Sequence, residues 1–217
     1  MYGYMYNIDI TIHFKVGVKM KRKNKNRIEN VQPLRSEKEI DEIILGLRIG
    51  GGAYRKREEL AKRDILLFLF GINTGLRVSD IVKLKVKNVR HEHSFIIYEG
   101  KTEKRRVVNI SMLKREIEEY TKDMNDEDYL FPSQRDKSFL STTQVYRILR
   151  DAGKYVGRED IGTHTMRKTF GYHHYQRYKD VAILQEIFNH SSPSITMRYI
   201  GITEDDINKT LDDFRLG

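Results

Sequence analysis

Cysteine is absent from the 217-residue chain. That excludes disulfides, thiolate catalysis and any zinc site built on cysteine ligands, and it leaves a reducing cytosol open. No run approaches the roughly 18 apolar residues needed to cross a bilayer. The opening MYGYMYNIDITIHF lacks the basic, then apolar, then small-residue order of a secretory signal. Internal repeats and low-complexity tracts are missing as well. These absences predict a soluble, cytoplasmic protein. Acidic residues are in deficit, 31 against 40 basic ones, for a formal charge of +9 and a pI near 9.5. Such an excess points to a polyanionic partner, nucleic acid first among them. The length suits one ordinary domain with a real core.

What is present divides at about residue 30. Ile8, Ile10, Ile12, Phe14, Val16 and Val18 share one parity, the period of a strand with one apolar face. The cationic run MKRKNKNR, Met20 to Arg27, follows at once. Residues 1–30 are therefore expected to form an extension or arm, with Met20 close to the start of the functional polypeptide. On DNA that arm would track phosphates and not bases. The globular domain is expected over residues 31–217.

Within it, Ser36 and Glu39 form a capping box for a helix to about Arg48. Gly50, Gly51 and Gly52 end that helix. No strand precedes them and no Gly-Lys-Ser/Thr follows, so they read as a loop and not as a phosphate cradle. A core helix is expected over about Arg55 to Asn73, on Leu60, Ile65, Leu66, Phe68, Leu69 and Ile72. Gly75 can end it in a left-handed conformation, and a short helix with Ile81, Val82 and Leu84 inward then starts at Arg77. Arg77 there suits either an anion or the carbonyls of the preceding helix. Ser94–Tyr98 and Arg105–Ile110 read as a hairpin whose turn carries Lys101, where a lysine is usually solvated. Further helices are expected from Ser111 or Met112 to Lys122, from Ser141–Gln144 to about Gly153 or Gly157, over Thr165–Tyr178 and over Val181–Phe188. Another starts after Ser192-Pro193. Thr203 and Asp206 should cap a last one ending near Phe214, whose stripe of Ile207, Leu211 and Phe214 must bury on its own domain or on a neighbouring copy.

The chemistry gathers between Thr163 and Tyr199. His164 and Arg167 lie one helical turn apart, followed by His190 and then Tyr199. Two imidazoles, a guanidinium and a phenol suit a phosphodiester. Arg matches a pair of phosphate oxygens, His donates to a third, and Tyr can attack phosphorus. Each has an innocent alternative as a core histidine, a salt-bridged arginine, a helix cap or a packed aromatic. A metal site on His173, His174 and His190 is disfavoured, because the adjacent pair points to different faces and no carboxylate spacing supports it.

The strings TGLRVSDIVKLKV, GKTEKRRV, THTMRKTFGYH and FNHSSPSITMRYIGI, taken in order across Val31 to Phe214, closely resemble the tyrosine recombinases of the phage-integrase family. The resemblance implies a mainly helical (α+β) catalytic domain with a small antiparallel sheet. It implies a site-specific DNA recombinase or integrase that needs no metal, ATP or other cofactor. Tyr199 would be the nucleophile and would form a 3′-phosphotyrosyl bond, with Arg77 and Arg167 clamping the phosphate. His190 would donate to the phosphate, Lys101 would protonate the leaving 5′-oxygen, and His164 would move the phenolic proton. Asp80 would orient a catalytic Arg or His, and Lys104, Arg105, Arg106 and Lys168 would meet DNA. It also implies double-stranded DNA as partner, a homotetramer on that DNA and a mobile-element setting. Family members carry an N-terminal helical core-binding domain, for which residues 1–30 are too few, so a minimal recombinase or an integrase-like fragment is expected. A type IB-like topoisomerase and a non-catalytic DNA-binding regulator are the rival readings.

Overall fold

A computed structural model describes residues 31–49, 58–100, 103–135, 138–203, 206, 208–212, 214 and 215. The expected strand and basic arm, Gly50 to Gly52, Lys101 and Ile207 lie outside these residues. Among the described residues no helix is long and apolar enough to cross a membrane.

Among the described residues the domain is mainly helical, with one two-stranded antiparallel sheet. Helix α1, Glu37–Ile49, starts on the expected box: the Ser36 N–H donates to Glu39 Oε2 at 3.2 Å, and the Glu39 N–H returns to Ser36 Oγ at 3.2 Å. Helix α2, Glu58–Thr74, is the central element. Leu66, Leu67, Phe68 and Phe70 are all sealed, so its burial wraps round the helix and is not a single stripe. Leu60, Ile65, Leu69 and Ile72 are only half-buried. α2 packs on α1 and on the later α6. Two charged residues of its second turn, Arg63 and Asp64, are buried as well, with Arg63 bound to Asp64 Oδ1 at 2.8 Å and to the Pro132 carbonyl at 2.8 Å.

Gly75 stops α2 at φ +64, and a Cβ there would meet the Phe170 ring at 2.4 Å. Helix α3, Val78–Ile81, follows, with Ile81, Val82 and Leu84 buried as expected. Strands β1, Ser94–Tyr98, and β2, Arg105–Asn109, then pair with Phe95 opposite Val108 and Ile97 opposite Arg106. Phe95 and Val108 face the core, while Ile96, Tyr98 and Val107 are exposed on the other side, as period two requires. A 3₁₀ turn over Ser111–Leu113 leads into α4, Lys114–Thr121, and the Leu130-Phe131 anchor is fully buried. Helix α5, Thr142–Tyr155, has a reciprocal Ser141–Gln144 cap and buries Val145, Leu149 and Ala152, with Tyr146 left outside.

Helix α6 spans Thr163–Tyr178, two residues earlier than its expected start, because the Gly162 N–H donates to Thr165 Oγ1 at 3.1 Å. Helix α7, Val181–Phe188, is capped by Asp180, and α8, Pro193–Tyr199, by Ser192. Buried hydrophobics form two clusters. A large one surrounds α2, and a small one of Leu184, Phe188 and Ile200 joins α7 and α8 to α6. Gly171 on α6 permits that second contact, since a Cβ there would come within 2.6 Å of Ile200 and 2.7 Å of the Phe188 ring.

The expected last helix needs correction. Thr203 and Asp206 do make their cap, with the Thr203 N–H donating at 2.9 Å. Residues 209–212 are nevertheless turn, and Leu211 and Phe214 are exposed instead of buried on this domain.

Candidate active site

Arg167 is placed by the ends of two helices. Its Nη1 donates to the Gly75 carbonyl at 2.5 Å, beyond the last turn of α2, and Nη2 to the Phe188 carbonyl at 3.0 Å, at the end of α7. The Phe188 carbonyl is one that a helix end leaves without an internal partner, and the Gly75 carbonyl lies just past such an end. The guanidinium carbon also lies 4.5 Å from the Phe188 ring centroid. Burial pushes the Arg167 pKa down to about 10, with the Tyr199 phenol opposing the shift. The group therefore stays cationic at neutral pH. Besides these two carbonyls it gives a hydrogen bond to the Tyr199 phenol, and its five N–H donors still leave some for an anion.

Arg77 is the extended residue that opens α3, and its guanidinium reaches the domain surface with the side chain 21% exposed. Its Nη1 donates to Glu99 Oε2 in a close ion pair. Glu99 is only 3% exposed, and its other oxygen lies 3.7 Å from Arg106 Nη1. Arg106 in turn donates from Nη2 to the Thr74 carbonyl at 2.7 Å. Its guanidinium, expected to meet the DNA backbone, is thus engaged by Glu99 and the Thr74 carbonyl. The paired position explains this: Arg106 stands opposite Ile97 on the inner face of the hairpin.

Asp80 also differs from expectation. Its Oδ1 accepts the Gly100 N–H at 3.2 Å and lies 3.5 Å from Ser79 Oγ, while Oδ2 has no hydrogen-bond partner among the described residues. The carboxylate on Arg77 is Glu99, not Asp80. The signal was available, since Glu99 shares the inward parity of Phe95 and Ile97. Lys104 and Arg105 are exposed on the hairpin. Lys168 is half-buried, donates to the Val31 carbonyl at 2.7 Å and sits 5.5 Å from the Tyr199 ring.

Tyr199 ends α8 with its ring packed edge-on against Phe188 at 5.5 Å and His190 at 5.2 Å. Its hydroxyl lies 3.2 Å from His164 Nδ1. Burial raises the phenol's pKa, and the charges of Arg167 and Arg77 pull it back. His190 shares Nδ1 with the Thr196 hydroxyl at 3.0 Å, one helical turn before Tyr199. Burial, then Arg167 and Arg77, lower the His190 pKa, which favours the neutral ring. Neither Phe188 nor Thr196 was singled out in the sequence, because an aromatic and a hydroxyl carry no distinctive spacing. His173 meets the Leu34 carbonyl at 3.0 Å and His174 stacks on Tyr178, both remote in role from His190.

Arg77, Arg167, His164, His190 and Tyr199 thus meet at one edge of the domain, drawn from α3, α6, the α7–α8 turn and α8. Cations there face a phenol held beside an imidazole. This is a setting for nucleophilic attack by oxygen on a phosphodiester.

The profile of the phage integrase family matches residues 37–205. The probable integrase/recombinase YoeC of Bacillus subtilis is 53% identical over 176 residues, which cover 81% of this chain and 92% of that protein. The tyrosine recombinase XerA of Pyrococcus horikoshii is 36% identical over 164 residues, 73% of this chain and 56% of that one. The chain therefore spans about half the length of XerA. The crystal structure of XerA recombinase shares the fold, with a TM-score of 0.65 at 22% identity, over 90% of this chain and 68% of that one.

Proposed function

The chain belongs to the phage integrase family and is a tyrosine-type recombinase, and from that premise we propose that it cuts and rejoins double-stranded DNA through Tyr199. The phenolic oxygen attacks phosphorus in line, the bond to the 5′-oxygen breaks, and a 3′-phosphotyrosyl bond forms. The phenolic proton passes to His164, and Lys101 gives a proton to the leaving 5′-oxygen. A 5′-hydroxyl from another strand then reverses the step. The phosphodiester energy is kept in the covalent bond, so ATP has no part. As negative charge builds on the non-bridging oxygens, Arg77 and Arg167 offset it and His190 donates a hydrogen bond.

The observation that carries this reading is the Tyr199 hydroxyl 3.2 Å from His164 Nδ1, on a phenol that feels the charges of both arginines. A phenol with a raised pKa attacks poorly at neutral pH unless a neighbour takes its proton. The exposed Lys104 and Arg105 supply phosphate contacts that strengthen binding without reading sequence.

The test is covalent capture on a pool of nicked duplexes, in EDTA. Wild-type protein is expected to form a denaturant-stable adduct. Tyr199→Phe is expected to form none while binding the same duplexes; an adduct from that variant would remove Tyr199 as nucleophile. Exchange between two duplexes needs four such sites, so the working form is a tetramer on DNA, in the cytoplasm. Leu211 and Phe214 are exposed and would pack on a neighbouring copy in that tetramer. Sizing the captured complex reads the copy number, and a single copy per synapsed pair would refute the tetramer. Plasmid relaxation without strand exchange would favour a topoisomerase instead.

A further inference from the structure

We propose that Glu99 is a positioning residue: its buried carboxylate holds the Arg77 guanidinium where the reacting phosphate must lie. This rests on the reading of Arg77 as a phosphate ligand.

The two clamp arginines are held by different means. Arg167 is fixed by two neutral carbonyls and an aromatic face. Among the described residues Arg77 has no such frame. It opens a helix of only four residues with no side-chain cap, and its ion pair is with Glu99. A long, rotatable side chain in that position spreads over many rotamers unless something holds its head. Glu99 does so from a site that is itself fixed. Arg106 stands 3.7 Å from its second oxygen and is tied to the Thr74 carbonyl at 2.7 Å. A chain of contacts thus runs from the end of α2 through Arg106 and Glu99 to Arg77. The next residue along, Gly100, is held by Asp80 Oδ1. Asp80 is one turn after Arg77, so two adjacent rungs stitch the hairpin to α3.

The carboxylate has an electrostatic role as well. Arg77 and Arg106 both act unfavourably on the charge of Arg167, and Glu99 acts favourably. One anion lets three guanidiniums share a partly dry space before DNA arrives, and leaves the site cationic for the phosphate. A carboxylate buried to this degree is costly without such partners, so its place at Arg77 calls for a reason.

The experiment is a double-mutant cycle on the capture rate, using nicked duplexes that wild-type protein captures from the pool. Glu99→Gln is expected to slow capture about thirtyfold, in the range that a small misplacement of a reacting group costs. Duplex affinity should stay within about threefold, since one contact among many is disturbed. Arg77→Ala combined with Glu99→Gln should be no slower than Arg77→Ala alone, because both changes remove one function. Losses that multiply, or a Glu99→Gln protein capturing at the wild-type rate, overturn the proposal. A DNA-independent readout is the Arg77 Nε–H signal in nitrogen-15 spectra, assigned by its loss in Arg77→Lys. It should shift or broaden in Glu99→Gln while the Arg167 signal holds. An unchanged Arg77 signal refutes the contact whatever the kinetics. Should Glu99→Gln fail to fold, Glu99→Asp keeps the charge, shortens the reach and is judged by the same readouts. If wild-type protein captures no duplex, the recombinase reading of the site fails, and the Arg77 spectrum still judges the Glu99 contact.

Discussion

The site is assembled from two regions of unequal solidity. Arg77, Glu99 and Arg106 rest on the large cluster around α2, where Phe68, Phe70, Ile81 and Phe131 are fully buried. His190 and Tyr199 hang from the small cluster of Leu184, Phe188 and Ile200. Arg167 on α6 is shared, with one donor on each region's carbonyl. The difference assigns different mechanical roles. The cationic half is carried by the larger cluster, and Tyr199, the proposed nucleophile, by a part with few buried apolar residues, which is the part expected to open first. A nucleophile on the softer half can approach and leave phosphorus without disturbing the clamp.

The sharpest way to break this contrast is to hollow each cluster in turn. Phe68→Ala should lower stability by about 3–5 kcal/mol, the usual cost of a cavity of that size, as read by urea unfolding. Capture per folded molecule should stay within about threefold of wild type. Phe188→Ala should cost less global stability yet slow capture about a hundredfold, because its ring touches Arg167, His190 and Tyr199. Matching losses in both readouts for both variants would erase the distinction.

Acid should act on the softer half. His190 and His174 are both held below the ordinary imidazole pKa of 6.5, mainly by burial. The folded chain therefore binds these protons less well than the unfolded one. Their contribution to stability is intact above about pH 6.5 and is lost as pH falls through the lowered values. Melting temperature should drop from pH 7 to pH 5, and His190→Gln should flatten part of that slope. An unaltered slope in that variant would remove His190 from the account.

The smallest effect expected is at Thr196. Removing one hydroxyl that steadies His190 should slow capture about fivefold, as suits a net hydrogen bond of about 1 kcal/mol. Thr196→Val tests the role, and Thr196→Ser should restore the rate. Equal rates in the valine and serine variants would show that the hydroxyl is idle.

Much of this was legible in the chain. Local signals survived folding: the Ser36–Glu39 and Ser141–Gln144 boxes, the left-handed Gly75 and the alternating hairpin all depend on neighbours a few residues apart. The spacing of His164 and Arg167 also carried through, because α6 is a regular helix at that point. What failed depended on partners distant in sequence. Asp80 looked like the group that orients a catalytic Arg or His because it lies one helical turn beyond Arg77. Yet α3 is only four residues long and its carboxylate turns to Gly100, while the true partner, Glu99, comes 22 positions later. Arg106 looked like a phosphate contact in a basic run, and its pairing with Glu99 was not legible there because strand parity sets it on the inner face of the hairpin. The terminal stripe of Leu211 and Phe214 had the right period for a helix and found no face to cover on this domain.

Arg167 carries one more consequence. Its guanidinium serves as a rivet through two helix ends, so removing it takes away architecture along with charge. A lysine in its place, with one ammonium on a flexible stem, could not span both carbonyls and still greet a phosphate. Loss of function on changing this residue will therefore say little about chemistry, and an inert protein with sound scaffolding is better sought by trimming a single oxygen from the aromatic ring at the end of α8.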